Sequence, residues 1–125
     1  MEWDVDFYEK ENGEVPVGEF LSSLTFKDRA KVLRSIQLLE EFGIELKGPH
    51  CDHLGDGIYE LRAKVSSNIQ RVLYFHYENG RFILTHGFTK KTQKTPPREI
   101  DLAKKYRADF LKRKKEEKEN KQDES

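Results

Sequence analysis

The stretch GIYELRAKVSSNIQRVLYFHYENGRFILTHGFTKKTQKTPPR, residues 57–98, decides how this chain folds. It predicts three short strands joined by two tight turns, Ser66-Ser67-Asn68 and Glu78-Asn79-Gly80. Asn-Gly favours the positive φ angles of hairpin turns, and strands joined so closely pair antiparallel. The stretch therefore predicts a three-stranded antiparallel meander.

The alternation of apolar residues predicts which side chains share a face of this sheet. In the third strand, one face is expected to carry Phe82, Leu84, His86 and Phe88. In the first strand, one face is expected to carry Tyr59, Leu61, Ala63 and Val65, and the other Ile58, Glu60, Arg62 and Lys64. In the second strand, one face is expected to carry Ile69, Arg71, Leu73, Phe75 and Tyr77, and the other Gln70, Val72, Tyr74 and His76.

The segment before the meander predicts a strand and two helices. Alternating Trp3, Val5 and Phe7 indicate a half-buried strand. A short helix begins near Pro16, and Thr25 is placed to cap a longer one over residues 26–42. We expect the two helices to form a hairpin that packs over the sheet, and residues 44–56 to form a loop.

The segment after the meander predicts one more helix. It begins after Thr95, and Ile100, Ala103, Tyr106, Phe110 and Leu111 keep helical spacing on one side. No apolar residue follows Leu111, so the end of the chain has nothing to bury. We therefore predict a single domain over residues 1–113 and a charged, disordered tail over residues 114–125.

Composition excludes several classes of protein. A chain of 125 residues suits one domain, and one cysteine, Cys51, excludes an internal disulfide framework. No stretch approaches the roughly 20 apolar residues of a membrane span. The acidic start MEWDVDFYEK lacks the apolar core of a signal peptide, which predicts a cytoplasmic protein without a membrane partner.

The sequence contains neither a familiar catalytic motif nor a convincing metal site. P-loop, HExxH and G-x-S-x-G patterns are absent. His50, Cys51, Asp52 and His53 are ligand types, but consecutive residues do not easily converge on one ion, and no second ligand pair lies at the usual spacing. We therefore predict neither a metal nor a cofactor.

The formal net charge of zero hides a division along the chain. Residues 1–60 carry six Lys and Arg against fourteen Asp and Glu, whereas residues 61–115 carry fifteen against four. Such asymmetry points to a polyanionic partner. The alternative is that the fold interleaves the two halves and the charges average out.

Cations and aromatic rings alternate along the meander and just beyond it. Cations hold phosphates and aromatic faces stack unpaired bases, so the mixture suits single-stranded RNA. The alternative is that the strand arginines pair with Glu60 or Glu78 and the aromatic rings belong to the core. The cations are Arg62, Lys64, Arg71, Arg81, Lys90, Lys91 and Lys94, and the rings are Tyr59, Tyr74, Phe75, His86 and Phe88.

The runs LGDGIYELRAK, RVLYF and HGFTKKTQKTPPREIDLA resemble the phage-derived HigB-like branch of the RelE/ParE toxin superfamily. The resemblance extends from Trp3 to Arg113 and includes PVGEFLSSL and KVLRSIQLLEEFG. It implies an α+β, RelE-like fold: an N-terminal strand, a two-helix hairpin, the meander completing a mixed sheet, and a C-terminal helix. The C-terminal tyrosine of some RNA-cutting relatives has no match here, since Tyr106 is expected in the core.

The resemblance also implies a function and assigns roles to residues. RNA-cutting members cleave messenger RNA on the ribosome without a metal, through attack of the 2′-hydroxyl on the adjacent phosphate. Arg62 and Arg71 would stabilise the phosphate, and Lys90 or Lys91 would transfer a proton. The RNA-binding residues would be Lys64, His86, Lys94 and Arg98. Two interpretations of His86 remain open: it could act as an acid or base in place of the missing tyrosine, or it could be a partly buried core residue.

The implied partners are a cognate antitoxin, a helix-turn-helix protein encoded nearby, and messenger RNA on the ribosome. Two alternatives remain open from the sequence. One is a ParE-like protein that inhibits DNA gyrase by protein contact, and the other is an inactive prophage relic. The concentrated lysines favour RNA over gyrase.

Overall fold

A computed structural model describes residues 3–124 of the chain, with side chains as far as residue 121. Its elements are β1 (Asp4–Phe7), α1 (Pro16–Ser23), α2 (Phe26–Phe42), a 3-10 helix (Gly43–Glu45), β2 (Cys51–Gly55), β3 (Ile58–Val65), β4 (Asn68–Tyr77), β5 (Arg81–Lys90) and α3 (Pro97–Glu124). Among these residues, no helix is both long and apolar enough to cross a membrane.

The five strands form one mixed sheet in the order β1-β5-β4-β3-β2. β1 runs parallel to β5, and the other neighbours are antiparallel. This arrangement confirms the predicted α+β fold, including the N-terminal strand, the helical hairpin, the meander and the C-terminal helix. The turn at Glu78-Asn79-Gly80 has positive φ at Asn79 and Gly80, as the Asn-Gly pair predicts, and also at Glu78.

The two faces of the sheet bury separate apolar clusters. The face covered by α1 and α2, called the hairpin face below, packs Leu61, Val72 and Leu84 against the helices. The other, called the α3 face, packs Ile58 and Leu73 against the last helix. The alternation predicted for β3 and β4 agrees with this division.

The helical hairpin begins and ends where its sequence signals lie. Pro16 occupies the first turn of α1, and Thr25 Oγ1 accepts a hydrogen bond from the Asp28 N–H at 3.2 Å. α2 ends at Gly43, whose φ is 54°. A Cβ at Gly43 would lie 2.0 Å from the Trp3 ring, so this glycine also admits the side chain that closes one end of the hairpin face.

One prediction about β5 is wrong, because a β-bulge interrupts its alternation. Leu73 pairs with His86 while the next residue, Tyr74, pairs with Leu84, which leaves Thr85 as an extra residue. An extra residue reverses the facing of everything beyond it. His86 and Phe88 therefore lie on the α3 face, although Phe82 and Leu84 lie on the hairpin face.

The segment 44–56 is more regular than predicted. Its first residues continue into the 3-10 helix, and Cys51–Gly55 form the edge strand β2, paired antiparallel with β3. The sequence CDHLG has little strand propensity or apolar alternation. The strand forms because β3 offers an unpaired edge, which is a tertiary effect that local pattern does not reveal.

The N-terminal end of the chain anchors α3 to the sheet. The Tyr8 ring stacks on Tyr106 at 4.7 Å between centroids, and its hydroxyl donates to Asp109 at 2.5 Å. Burial, with the Asp109 carboxylate, raises the pKa of Tyr8 to about 12. Arg113 completes the contact by donating to Asp109 at 2.8 Å.

α3 continues beyond the end that the sequence analysis assigns to the domain. Residues 114–124 extend the helix, and Lys118 Nζ lies 2.7 Å from Glu78 Oε1. Lys and Glu favour helix, and Lys114 pairs with Glu117 at the i, i+3 spacing, which explains the extension without buried surface. Leu111 is 43% exposed, so the apolar contacts of α3 end at Phe110.

Removal of residues 114–125 is expected to leave the melting temperature nearly unchanged, because exposed ion pairs contribute little in water. Thermal unfolding followed by circular dichroism measures this. Deletion from residue 106 is the control: it removes the Tyr106 and Phe110 rings packed on the α3 face and should abolish cooperative unfolding. A loss of several degrees from the shorter deletion would show that the last turns stabilise the domain.

Candidate nucleic-acid interface

Most of the predicted cations lie at one end of the α3 face and in the loop that follows it. Arg81 is the exception, because it begins β5 at the other end of the sheet and pairs with Asp6 at 3.4 Å. Pairing of β3, β4 and β5 places Arg62, Arg71 and Phe88 in one row across the sheet. The next row contains Lys64, Ile69 and Lys90. Side chains in register on neighbouring strands point to the same face, so this region gathers four of the predicted site residues.

A buried carboxylate organises these rows. Glu60 is 0% exposed, and its Oε1 accepts hydrogen bonds from Arg62 Nε at 2.7 Å and Arg71 Nη1 at 3.0 Å. The Thr95 hydroxyl donates to the other oxygen, Oε2. A buried charge is tolerated only when it is paired and hydrogen-bonded, and Glu60 meets both conditions. The alternative that strand arginines pair with Glu60 is therefore confirmed.

Arg71 holds the loop of residues 91–96 from inside the protein. Its guanidinium donates to the carbonyl of Thr92, to the carbonyl of Gln93 at 3.0 Å and to Thr95 Oγ1 at 3.1 Å. The Arg71 side chain is 0% exposed. The expectation that Arg71 grips a phosphate needs correction, because its donors serve the loop and the loop separates it from solvent.

Arg62 is the arginine that reaches the surface. Its side chain is 24% exposed, and Nη2 lies 3.3 Å from Asp52 Oδ2 and 3.5 Å from the Gln93 carbonyl. Three protein contacts fix the direction of the guanidinium. Arg62 faces an open groove of about 400 Å³, which is lined by Asp52, His53, Leu54, Arg62, Gln93, Lys94, Thr95 and Ile100.

Lysines supply the unneutralised charge around this groove. Lys64, Lys91 and Lys94 are exposed and Lys90 is half-buried. None of the four lies within ion-pairing distance of an acidic side chain in the described part of the chain. Arg98 is also open, with a side chain 75% exposed and Nε 4.0 Å from Glu99 Oε2. These cations are available to a polyanion.

His86 does not belong to this surface. The bulge at Thr85 turns it toward α3, where it is 5% exposed and its Nε2 lies 3.1 Å from Glu99 Oε1. Its Nδ1 lies 3.1 Å from Thr85 Oγ1. Burial lowers the pKa of His86, with Glu99 acting in the opposite direction. The interpretation of His86 as a satisfied core histidine therefore holds, and its role as an RNA ligand does not.

The aromatic rings of the meander also serve the core more than the surface. Tyr74 and Phe75 are buried on opposite faces, and Phe88 packs on the α3 face. Tyr59 is half-buried between Tyr74 and His53, with ring centroids at 5.5 and 4.5 Å. The interface is therefore built of cations, and base stacking on the predicted rings is not available at most positions.

The run His50–His53 does not converge on a metal position. Asp52 turns toward Arg62 on the α3 face, whereas His53 stacks on Tyr59 in register on the hairpin face. Within residues 3–124, no three His, Cys, Asp or Glu side chains gather as a ligand set.

Sequence reasoning missed Thr95, which links the buried pair to the loop. Its hydroxyl donates to Glu60 and accepts from Arg71, and the residue is 5% exposed. The only sequence signal is its position before Pro96, which predicts a helix entry. A polar residue that closes a buried network is recognised only once its partners are known.

Comparison with known proteins places the chain in a family. The model described as Phage derived protein Gp49-like (DUF891) matches residues 19–108, which is well over half of the chain. The chain therefore belongs to the Gp49-like family, within the RelE/HigB-like toxin superfamily. No curated protein matches it.

Thr95→Val should loosen the loop that carries the lysines. Valine keeps the shape of threonine but removes the hydroxyl, which leaves Glu60 and Arg71 each short of a partner and costs about 1–3 kcal/mol of unfolding free energy. Hydrogen exchange should speed up over residues 91–95. Thr92→Val is the matched control, since the exposed Thr92 hydroxyl reaches only the Lys94 carbonyl at 3.4 Å. Equal effects of the two substitutions would contradict the proposed network.

Proposed function

We propose that this Gp49-like protein is the toxin of a type II toxin–antitoxin pair, of the HigB-like branch, and that it cuts messenger RNA on the ribosome. The observation that carries the proposal is the loop of residues 91–96, which Arg71 holds through two backbone carbonyls. Lys94 of this loop lines the open groove together with Arg62. A fold that concentrates cations in this way suits a phosphate backbone.

The chemistry that suits this site is attack of a ribose 2′-hydroxyl on the adjacent phosphate. Such a reaction needs groups that hold the phosphate, stabilise the charge of the transition state and move two protons. Arg62 fits the first two tasks, because Glu60 and Asp52 hold its guanidinium in one orientation. Pre-orientation matters because a fixed donor costs no reorganisation during the reaction.

The lysines divide the remaining tasks in this proposal. Lys90 or Lys91 gives a proton to the leaving 5′-oxygen, and Lys94, which lines the groove, orients the substrate. Lys64 and Arg98 extend the charged surface on either side and bind phosphates further along the strand. Arg71 acts through the loop: it holds the backbone of Thr92 and Gln93, between Lys91 and Lys94.

The antitoxin is proposed to contact the opposite side of the molecule. α2 and the 3-10 helix expose large apolar side chains: Phe26 is 84%, Phe42 45% and Ile44 66% exposed. Phe42 lines an open groove of about 640 Å³ together with Trp3, Asp4, Glu41, Glu45, Asn79 and Gly80. Phe26 lies at the other end of α2, about 24 Å away along the helix. Apolar surface next to acidic side chains suits an amphipathic basic segment of a protein.

Hydrogen exchange on the copurified toxin–antitoxin complex should show protection over α2 and residues 43–45, because those segments carry the exposed apolar surface. Phe26→Ser should weaken the complex without a loss of stability, since Phe26 is 84% exposed. Protection confined to residues 81–98 would instead place the antitoxin over the cationic site.

Replacement of Lys90, Lys91 and Lys94 by alanine should abolish growth inhibition and leave the fold intact. The loop is held by Arg71 through backbone carbonyls, which the substitutions retain. Lost phosphate contacts weaken binding, and loss of a proton-transferring lysine lowers the rate by about 10²–10⁴-fold. Mapping of transcript 5′ ends after induction, with circular dichroism of the purified variant, measures both effects.

Two further variants identify what the lysines do. Arginine at all three positions keeps the charge but does not give up a proton, so binding without cleavage would assign proton transfer to this cluster. Alanine at Lys27, Lys31 and Arg34 removes equal charge from α2 and should leave toxicity unchanged. A folded triple-alanine variant that still arrests growth would refute RNA cleavage at this site, and inhibition of gyrase supercoiling would then support the ParE-like alternative.

A further inference from the structure

Proton transfer at the groove needs a base, and the structure assigns it to one of four histidines. A base must be neutral before it takes a proton. A solvated lysine ammonium is charged at neutral pH, so it gives a proton more readily than it accepts one. Imidazole exchanges its proton near neutral pH and is the side chain best suited to the task.

Three of the four histidines in the sequence have rings that are enclosed or packed on a neighbouring ring. His86 is enclosed between Thr85 and Glu99. His53 is in register with Tyr59 and stacks on its ring on the hairpin face. His76 lies on the hairpin face as well, with its ring 5.1 Å from Phe82 and 6.4 Å from Trp3. His76 and His86 do not line the groove that Arg62 faces, and His53 lines it with a ring that is already stacked on Tyr59.

His50 is the remaining histidine, and backbone pairing brings it beside Arg62. The ladder between β2 and β3 pairs Cys51 with Leu61 and Asp52 with Glu60. The Arg62 N–H donates to the His50 carbonyl at 2.9 Å, so the same ladder continues one residue further and sets His50 opposite Arg62. Opposed residues of an antiparallel pair have Cβ atoms about 4.5–5.5 Å apart on one face.

The surroundings of His50 leave its ring available. The residue is exposed, and no hydrogen bond or ion pair of its ring occurs within residues 3–124. The charged residues that the ladder and the preceding turn bring to this position are Asp52 on β2, Arg62 and Lys64 on β3, and Lys47, whose carbonyl accepts the His50 N–H at 3.1 Å. Cations therefore outnumber the single carboxylate, which suits a position beside a bound phosphate.

We infer that His50 is the general base of the reaction, an assignment that rests on the proposed RNA cleavage. His50 takes the proton of the 2′-hydroxyl, whose oxygen forms a bond to phosphorus while the bond from phosphorus to the 5′-oxygen breaks. A lysine ammonium of the loop protonates the leaving 5′-oxygen. The products are a 2′,3′-cyclic phosphate and a 5′-hydroxyl, and no other reactant is needed.

Single-turnover cleavage of a short messenger RNA on programmed ribosomes tests the assignment. His50→Gln should lower the maximal rate by about 10²–10⁴-fold. The rise of the wild-type rate with pH through the neutral range should disappear, while the toxin concentration for half-maximal rate stays the same. His76→Gln is the matched control, since it removes an exposed histidine on the hairpin face, away from the groove, and it should cleave as the wild type does.

A second substrate distinguishes a base from an acid. In messenger RNA with sulfur in place of the bridging 5′-oxygen, the leaving group needs no proton, so loss of an acid is rescued and loss of a base is not. Rescue of His50→Gln by this substrate would overturn the assignment as base. A wild-type rate and pH profile in folded His50→Gln would overturn any role in proton transfer.

Different experimental results would refute the proposed function and the assignment of His50. A wild-type protein that arrests growth but cuts no messenger RNA would remove the reaction itself, and the role of His50 with it. A wild-type protein that cleaves, together with an equally active His50→Asn and His50→Gln, would leave the function intact and refute only the base. Melting temperatures of the variants should match the wild type, because His50 is exposed and its backbone bond to Arg62 is retained.

Discussion

The buried ion pair between Glu60 and Arg71 is the interaction on which the rest of the site depends. Both side chains are 0% exposed, and charges removed from water are stable only with full hydrogen bonding. Glu60 obtains its remaining partners from Arg62 and Thr95, and Arg71 obtains its own from the loop carbonyls. Among the buried side-chain nitrogen and oxygen atoms of the described residues, only Arg71 Nε lacks a hydrogen-bond partner. One carboxylate thus joins two strands and a loop that is otherwise without regular structure.

The sequence predicts most elements of this fold because local residue signals mark where they begin and end. Thr25 and Gly43 mark the ends of α2, and the Asn79-Gly80 turn fixes the β4–β5 hairpin. The features that the sequence does not predict are those that depend on a neighbouring strand. β2 exists because β3 presents an open edge, and the bulge at Thr85 becomes visible only when β5 is aligned with β4. That single extra residue moves His86 from the predicted face to the other.

The site shows the same limit. Sequence reasoning finds the cations and their concentration near the end of β5, since residue type and spacing are local facts. It cannot tell Arg62 from Arg71, which are direct neighbours in the register yet 24% and 0% exposed. The difference arises because the loop folds over one of them. His50 escapes notice for a related reason: its proximity to Arg62 comes from a ladder bond across two strands, and its neighbours in sequence suggest only an unconvincing metal site.

The different positions of arginine and lysine in the site follow from the same buried carboxylate. Guanidinium is planar, weakly hydrated and rich in fixed donors, so Arg71 can be buried and can hold the loop through hydrogen bonds from inside the protein. Ammonium is strongly hydrated and remains at the surface on a flexible stem. Glu60 and Asp52 offset the charge of the two arginines, so the unpaired positive charge at the groove belongs to lysines. A polyanion would therefore meet mobile lysines first and the oriented Arg62 last. That order suits a surface that attracts a nucleic acid broadly but places one phosphate closely, because long-range attraction tolerates flexible charges whereas stabilisation of a transition state requires a donor already in position.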